Sequence, residues 1–125
     1  KYLDSWNTIR KQIAGEYMKK LNILPIKLPF CKEGRTHVYH LFVIQVENRN
    51  NILEQLKQKE IGTAIHYPVP IHLTKAYKYL RYKLGDFPIT EDISNRIISL
   101  PMFPEITNEE INFVCDSIIN LYGDR

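Results

Sequence analysis

At 125 residues, 44% hydrophobic and 25% charged, the chain is one domain's worth of ordinary globular sequence. Its net charge of +3 is mild and its lysines are spread along the chain, which argues against a dedicated nucleic-acid binder. Cys31 and Cys115 form no C-x-x-C pair or disulfide framework, no apolar run approaches the ~20 residues of a membrane span, and no signal-peptide h-region opens the chain, so neither membrane nor nucleic acid is an expected partner and a reducing cytoplasm is the expected compartment.

The first expected element is a helix over Tyr2–Leu21, with Leu3, Trp6, Ile9, Ile13, Tyr17 and Leu21 repeating near 3.6 residues. Lys1-Tyr2-Leu3 supplies no N-cap, which leaves the first amides of the helix without partners. The expectation is therefore a piece of a longer protein. Leu24–Phe30, interrupted by Pro25 and Pro29, reads as an edge or irregular extended segment. Val38–Val46 is the strongest strand signal, rich in β-branched and aromatic residues. Asn50 or Asn51 then caps a helix carrying Ile52, Leu53 and Leu56, and with Asn51 as cap Glu54 completes a capping box.

Ile61 and Gly62 lead into a second strand, Thr63–Tyr67. Leu73, Ala76, Tyr77, Leu80 and Leu84 make a helical stripe ending at Gly85. The same run, Lys75 to Lys83, interleaves basic and aromatic residues, but its helical wheel turns Tyr77 and Leu80 inward and leaves Lys75, Lys78, Tyr79 and Tyr82 in solvent. A short helix from Thr90 precedes an extended piece at Ile98–Leu100, closed by Pro101 and Pro104. Thr107 with Glu110 forms a capping box for the last helix, stapled by Ile106 on Ile111, and Ile111, Val114, Cys115, Ile118 and Tyr122 form its buried stripe. Cys115 on that stripe reads as core filler rather than nucleophile. Short strands interleaved with helices define an α/β fold: a small two-layer sandwich of a short, mostly antiparallel sheet with helices packed on it.

The chemistry is concentrated in Gly62–His72, G-T-A-I-H-Y-P-V-P-I-H, which holds two of the four histidines, a tyrosine and two prolines. Each proline fixes φ and biases the residue before it to extended geometry, so His66 and His72 flank a stiff loop. Rigid loops bearing polar aromatics are where binding groups tend to sit. His37 and His40 lie three apart beside a strand and tend to opposite faces, so no metal site is expected. There is no glycine-rich phosphate loop and no catalytic constellation.

Five blocks carry a resemblance: Leu3-Asp4-x-Trp6-Asn7, His37-Val38-Tyr39-His40-Leu41-Phe42-Val43-Ile44, Ile61-Gly62-Thr63-x-Ile65-His66-Tyr67-Pro68-x-Pro70-x-His72, Gly85-Asp86-Phe87-Pro88 and Ser99-Leu100-Pro101-Met102-Phe103-Pro104. In this order they resemble the C-terminal portion of a DegT/DnrJ/StrS-type sugar aminotransferase, and the likeness runs to Tyr122. Glu60 departs from it, standing where the family often has glycine.

The resemblance implies a fold similar to the C-terminal domain of aspartate-aminotransferase-like (fold type I) enzymes, with residues 1–22 a connecting helix from a missing large domain and residues 23–125 the small C-terminal domain. It implies pyridoxal 5′-phosphate held by a large upstream domain of a homodimeric parent, and transfer of an amino group, usually from glutamate, to a nucleotide-linked keto sugar, with the loop leaning towards a 3-keto deoxyhexose. The aldimine lysine and most of the phosphate cup lie upstream in that family, so no residue here is expected to be catalytic or cofactor-binding, and the chain alone is expected to be inactive. Substrate contacts carry over to His66 and Tyr67 first, then to His40, Tyr39 and His72, while Ser99–Pro104 reads as structural packing. The competing expectation is a stand-alone, non-catalytic α/β module for ligand binding or regulation.

Overall fold

Two short strands, β1 (Phe42–Gln45) and β2 (Ile97–Leu100), pair antiparallel at the centre of the computed structural model, which describes residues 1–123. The register sets Phe42 opposite Leu100, Val43 opposite Ser99, Ile44 opposite Ile98 and Gln45 opposite Ile97. Single antiparallel bridges extend the sheet on both sides, Lys27 beside Gln45 and Ala64 beside Ser99. The period of two sends Phe42 and Ile44 into the core and leaves Val43 and Gln45 half-buried on the opposite face.

Four helices complete the fold: α1 (Leu3–Leu21), α2 (Arg49–Gln58), α3 (Pro88–Arg96) and α4 (Asn108–Gly123). Helix α4 packs against both α1 and α2, and α2 against β2. The shared core holds Tyr17, Leu21, Phe42, Ile44, Ile52, Leu56, Ile98 and Ile118, each under 2% exposed. Each such side chain contributes about 1.5–3 kcal/mol of transfer free energy, so one continuous core dominates stability. Helix α1 enters it chiefly through its C-terminal half, where the ring of Tyr17 meets that of Phe42 at 5.0 Å and its hydroxyl donates a 2.9 Å hydrogen bond to the Pro101 carbonyl. The N-terminal half leaves Leu3 and Trp6 exposed. The result is the small α/β arrangement expected of the sequence, a short antiparallel sheet with helices packed on it.

The capping box of α4 forms as read: the Thr107 amide donates to Glu110 Oε2 at 2.7 Å, and the Glu110 amide donates to Thr107 Oγ1 at 3.2 Å. Ile106 and Ile111 are both buried beside it, and Cys115 is fully enclosed. Helix α3 begins two residues before Thr90, because Pro88 occupies its first turn, where a missing amide is harmless.

Four expectations need correction. The strand at Val38–Val46 starts only at Phe42, because Tyr39 has a left-handed backbone (φ +50) that no strand accommodates. The cap of α2 is Asn48, also left-handed (φ +52), so Asn50 and Asn51 lie inside the helix and no side-chain capping bond forms. The strand at Thr63–Tyr67 reduces to the single bridge at Ala64. The stripe from Leu73 to Leu84 is not an α-helix: an extended Thr74 separates two short 3-10 helices, Ile71–Leu73 and Lys75–Leu80, and Arg81 (φ +61) ends the second. Tyr77 and Leu80 are 41% and 46% exposed, so the face that the wheel turns inward is not buried among the described residues.

Candidate functional site

Strand β2 reads Ile97-Ile98-Ser99-Leu100, and every residue of it is buried. A buried hydroxyl needs a partner, and Ser99 Oγ finds one in His66 Nδ1 at 2.8 Å. The contact is set by backbone: the Ser99 amide donates to the Ala64 carbonyl at 2.8 Å and the Ala64 amide returns a 3.2 Å bond to the Ser99 carbonyl. His66 follows two residues after Ala64, on the same side of the extended chain. Its half-buried ring meets that of Tyr67 edge-on at 5.6 Å and 82°, and Tyr67 is 73% exposed. The pair therefore offers one fixed imidazole and one solvent-facing phenol at the head of the Pro68–Pro70 loop.

The other candidate residues occupy different environments. Tyr39 is a core residue: its amide donates to His37 Nδ1 at 2.8 Å, its ring lies 4.2 Å from that of His37, and burial, with Cys31 adding to it, raises its pKa. His40, next to it, is exposed. His72 is not free either. Its side chain is 8% exposed, its Nε2 lies 2.9 Å from Glu91 Oε1, and its ring rests on Phe87 at 4.7 Å. Glu91 also accepts from the amides of Gly85 (2.8 Å) and Phe87 (3.2 Å). Partial desolvation pushes its carboxyl up, and the hydrogen bonds from Gly85, His72 and Phe87 outweigh that, holding it below the usual carboxylate range. Glu91 thus ties the segment 72–87 back onto α3.

The structure joins His66 to Tyr67 and leaves His72 in a separate cluster. Sequence reasoning reads Ser99 as structural packing and leaves Glu91 unassigned. A serine in an otherwise apolar buried strand was a usable signal for the first; nothing in the sequence around Glu91 marks it.

No group of three metal-ligating side chains exists among the described residues. No lysine among them is buried, and the half-buried Lys20 lines the open groove of about 660 Å³ between α1 and α4, far in sequence and lining from His66 and Tyr67. The thiol of Cys115 is pushed up to about 12, mainly by burial, which removes it as a nucleophile at neutral pH. Among the described residues no helix is long and apolar enough to cross a membrane. What the site can do by itself is hydrogen-bond a polar ligand.

Residues 1–119 match the DegT/DnrJ/EryC1/StrS aminotransferase family. The dTDP-3-amino-3,6-dideoxy-alpha-D-galactopyranose transaminase of Aneurinibacillus thermoaerophilus is 38% identical over 122 residues, which cover 98% of this chain and 33% of that protein. The crystal structure of S. venezuelae DesV in complex with a ketimine intermediate superposes with a TM-score of 0.92 at 35% identity, covering 96% of this chain and 33% of the other. That of ntda from Bacillus subtilis, with bound cofactor PMP, gives a TM-score of 0.82 at 30% identity over 95% of this chain and 29% of the other. The chain spans about a third of the length of these relatives.

Proposed function

The chain belongs to the DegT/DnrJ/EryC1/StrS aminotransferase family, and from that premise we propose that it is the C-terminal small domain of a nucleotide-sugar aminotransferase. Residues 1–22 connect it to a large upstream domain and residues 23–125 form the small domain. The observation that carries this reading is the match over 1–119 to a family of enzymes of which this chain spans only a third. The full protein moves an amino group, with glutamate as donor, onto the keto carbon of a nucleotide-linked sugar, and it works as a cytoplasmic homodimer. The relative from Aneurinibacillus, named for a 3-amino sugar, favours the 3 position.

Pyridoxal phosphate, when bound, supplies the electron sink for the transfer. Among the described residues no lysine is enclosed, so none is placed to hold that group. In this reading the upstream domain holds the cofactor, and the chain alone is expected neither to bind it nor to transaminate. Its contribution is substrate contact. His66, whose ring is fixed by Ser99, and Tyr67, whose side chain faces solvent, hydrogen-bond the sugar or its diphosphate, and His40, also exposed, is a further contact. Tyr39 and His72, both enclosed, serve the site by holding the backbone that carries the ligand-facing groups.

The test is a pair of variants in the full-length protein, His66→Ala and Tyr67→Phe, with stopped-flow spectroscopy on each half-reaction. A hydrogen bond to a neutral group is worth about 0.5–1.5 kcal/mol and one to a charged phosphate about 1.5–3 kcal/mol. Catalytic efficiency with the sugar nucleotide therefore falls by roughly three- to hundredfold, while the glutamate half-reaction is largely unchanged. Equal damage to both halves would refute a substrate-contact role, and so would damage to neither. A stand-alone ligand-binding module is the second reading; a start codon directly before Lys1 in the coding sequence would favour it.

A further inference from the structure

We propose that Ser99 is a positioning residue that locks His66 in the tautomer carrying its proton on Nε2, so that the exposed edge of the ring is a hydrogen-bond donor. The argument is one of proton accounting. A serine hydroxyl has one proton, and a neutral imidazole has one donor and one acceptor nitrogen. Ser99 is 4% exposed, and the only partner of its hydroxyl among the described residues is His66 Nδ1 at 2.8 Å. If Nδ1 carried the proton, the ring would donate to the serine oxygen. The serine's own proton would then be left in a buried site without an acceptor, a loss this geometry avoids only when the hydroxyl donates and Nδ1 accepts. The proton of the imidazole must then sit on Nε2, which makes no hydrogen bond among the described residues.

Neither partner can drift out of this arrangement. Ser99 is held on one side by pairing with Val43 and on the other by the two backbone bonds to Ala64. Because the same bridge fixes the start of the loop, ring orientation and tautomer are set by the sheet rather than by the ligand. An Nε2–H donor matches a ligand acceptor, such as a sugar carbonyl, hydroxyl or phosphate oxygen, and does not match a ligand donor. This inference rests on the reading of His66 as a substrate contact, and it narrows that contact to a donor.

Long-range ¹H–¹⁵N correlation of the imidazole rings in ¹⁵N-labelled protein tests it. The chain has four histidines, and the signals missing from His66→Ala assign the ring. The expected result is a pyridine-type Nδ1 and a pyrrole-type Nε2 at His66. Ser99→Thr, which keeps the hydroxyl, preserves the pattern; Ser99→Val, its isostere without one, and the smaller Ser99→Ala give a mixture of tautomers. In the full-length enzyme Ser99→Val lowers kcat/KM for the sugar nucleotide by about three- to tenfold, Ser99→Thr restores it, and the glutamate half-reaction is unaffected. A protonated Nδ1 in the parent protein, or an unchanged pattern in both Ser99→Val and Ser99→Ala, overturns the lock. Should the tautomer pattern come out as expected while His66→Ala leaves sugar turnover intact, the lock stands and the substrate contact falls.

Discussion

Replacing Glu60 by glycine should stabilise this protein, although it removes a side chain and shortens nothing. Helix α2 ends in a complete Schellman motif: the Ile61 amide donates to the Leu56 carbonyl at 3.0 Å and the Glu60 amide to the Lys57 carbonyl at 2.9 Å. The motif requires a left-handed residue after the cap, and Glu60 supplies it with φ +59. A residue with a Cβ loses roughly 1–2 kcal/mol in that conformation. Glycine removes that penalty and returns roughly 0.5–1 kcal/mol through the greater freedom of its unfolded chain. A carboxylate at a helix C-terminus is disfavoured by roughly 0.3–1 kcal/mol, and that term also disappears. Glu60 is exposed, and its side chain makes no hydrogen bond or ion pair with the described residues that would be lost. The net gain is about 1 kcal/mol.

Urea unfolding followed by far-UV circular dichroism measures the gain directly. With a slope of about 1–3 kcal/mol/M, the midpoint rises by roughly 0.5 M at unchanged slope. Glu60→Gln isolates the charge term and should recover only a few tenths of a kcal/mol. Glu60→Asn, whose side chain tolerates left-handed backbone, should fall between Gln and Gly. A glycine variant no more stable than the glutamine variant would refute the reasoning, since it would mean that residue 60 carries no left-handed penalty.

Three further outcomes follow from the same geometry. Tyr17→Phe leaves the ring packed on Phe42 but deprives the Pro101 carbonyl of its partner, and should destabilise by about 1 kcal/mol in the same unfolding assay; no change would mean that the hydroxyl bond carries no net weight. Because Glu91 has a folded pKa below its unfolded one, its grip on the segment 72–87 is complete above the ordinary carboxylate range near ~4 and is lost as pH falls through the lower folded value. Hydrogen exchange at the Gly85 and Phe87 amides should therefore lose protection on acidification, and in Glu91→Gln it should be fast already at neutral pH; protection independent of pH in the parent would contradict this. A thiol reagent should modify Cys31 rapidly and Cys115 only on unfolding, and prompt reaction of two thiols in the native protein would show that the α4 core opens.

Some elements are legible from local rules alone. The capping box at Thr107 and Glu110, the stripe of α4 and the C-terminal half of α1 need only spacing and side-chain chemistry, because each buries its apolar face within a few turns. The five motif blocks likewise specify the family without coordinates. Other features depend on contacts distant in sequence. Tyr39 sits in a run with every strand credential, yet its left-handed backbone turns its ring into the core, a choice made by tertiary packing rather than propensity. The Leu73–Leu84 stripe has helical periodicity, but periodicity stabilises a helix only where a surface receives it, and among the described residues Tyr77, Leu80 and Leu84 stay exposed.

At the site, the sequence determined that His66 and Tyr67 stand on a proline-stiffened loop, since φ restriction is a property of the residues themselves. That Ser99 reaches His66 across 33 residues, and that Glu91 takes His72 out of circulation across 19, was decided only by the tertiary structure. Hydrogen bonds between side chains so far apart are encoded in no local pattern. They exist because β2 pairs with Ala64 and because α3 folds back on the 72–87 segment, and only the folded backbone brings those atoms within 3 Å.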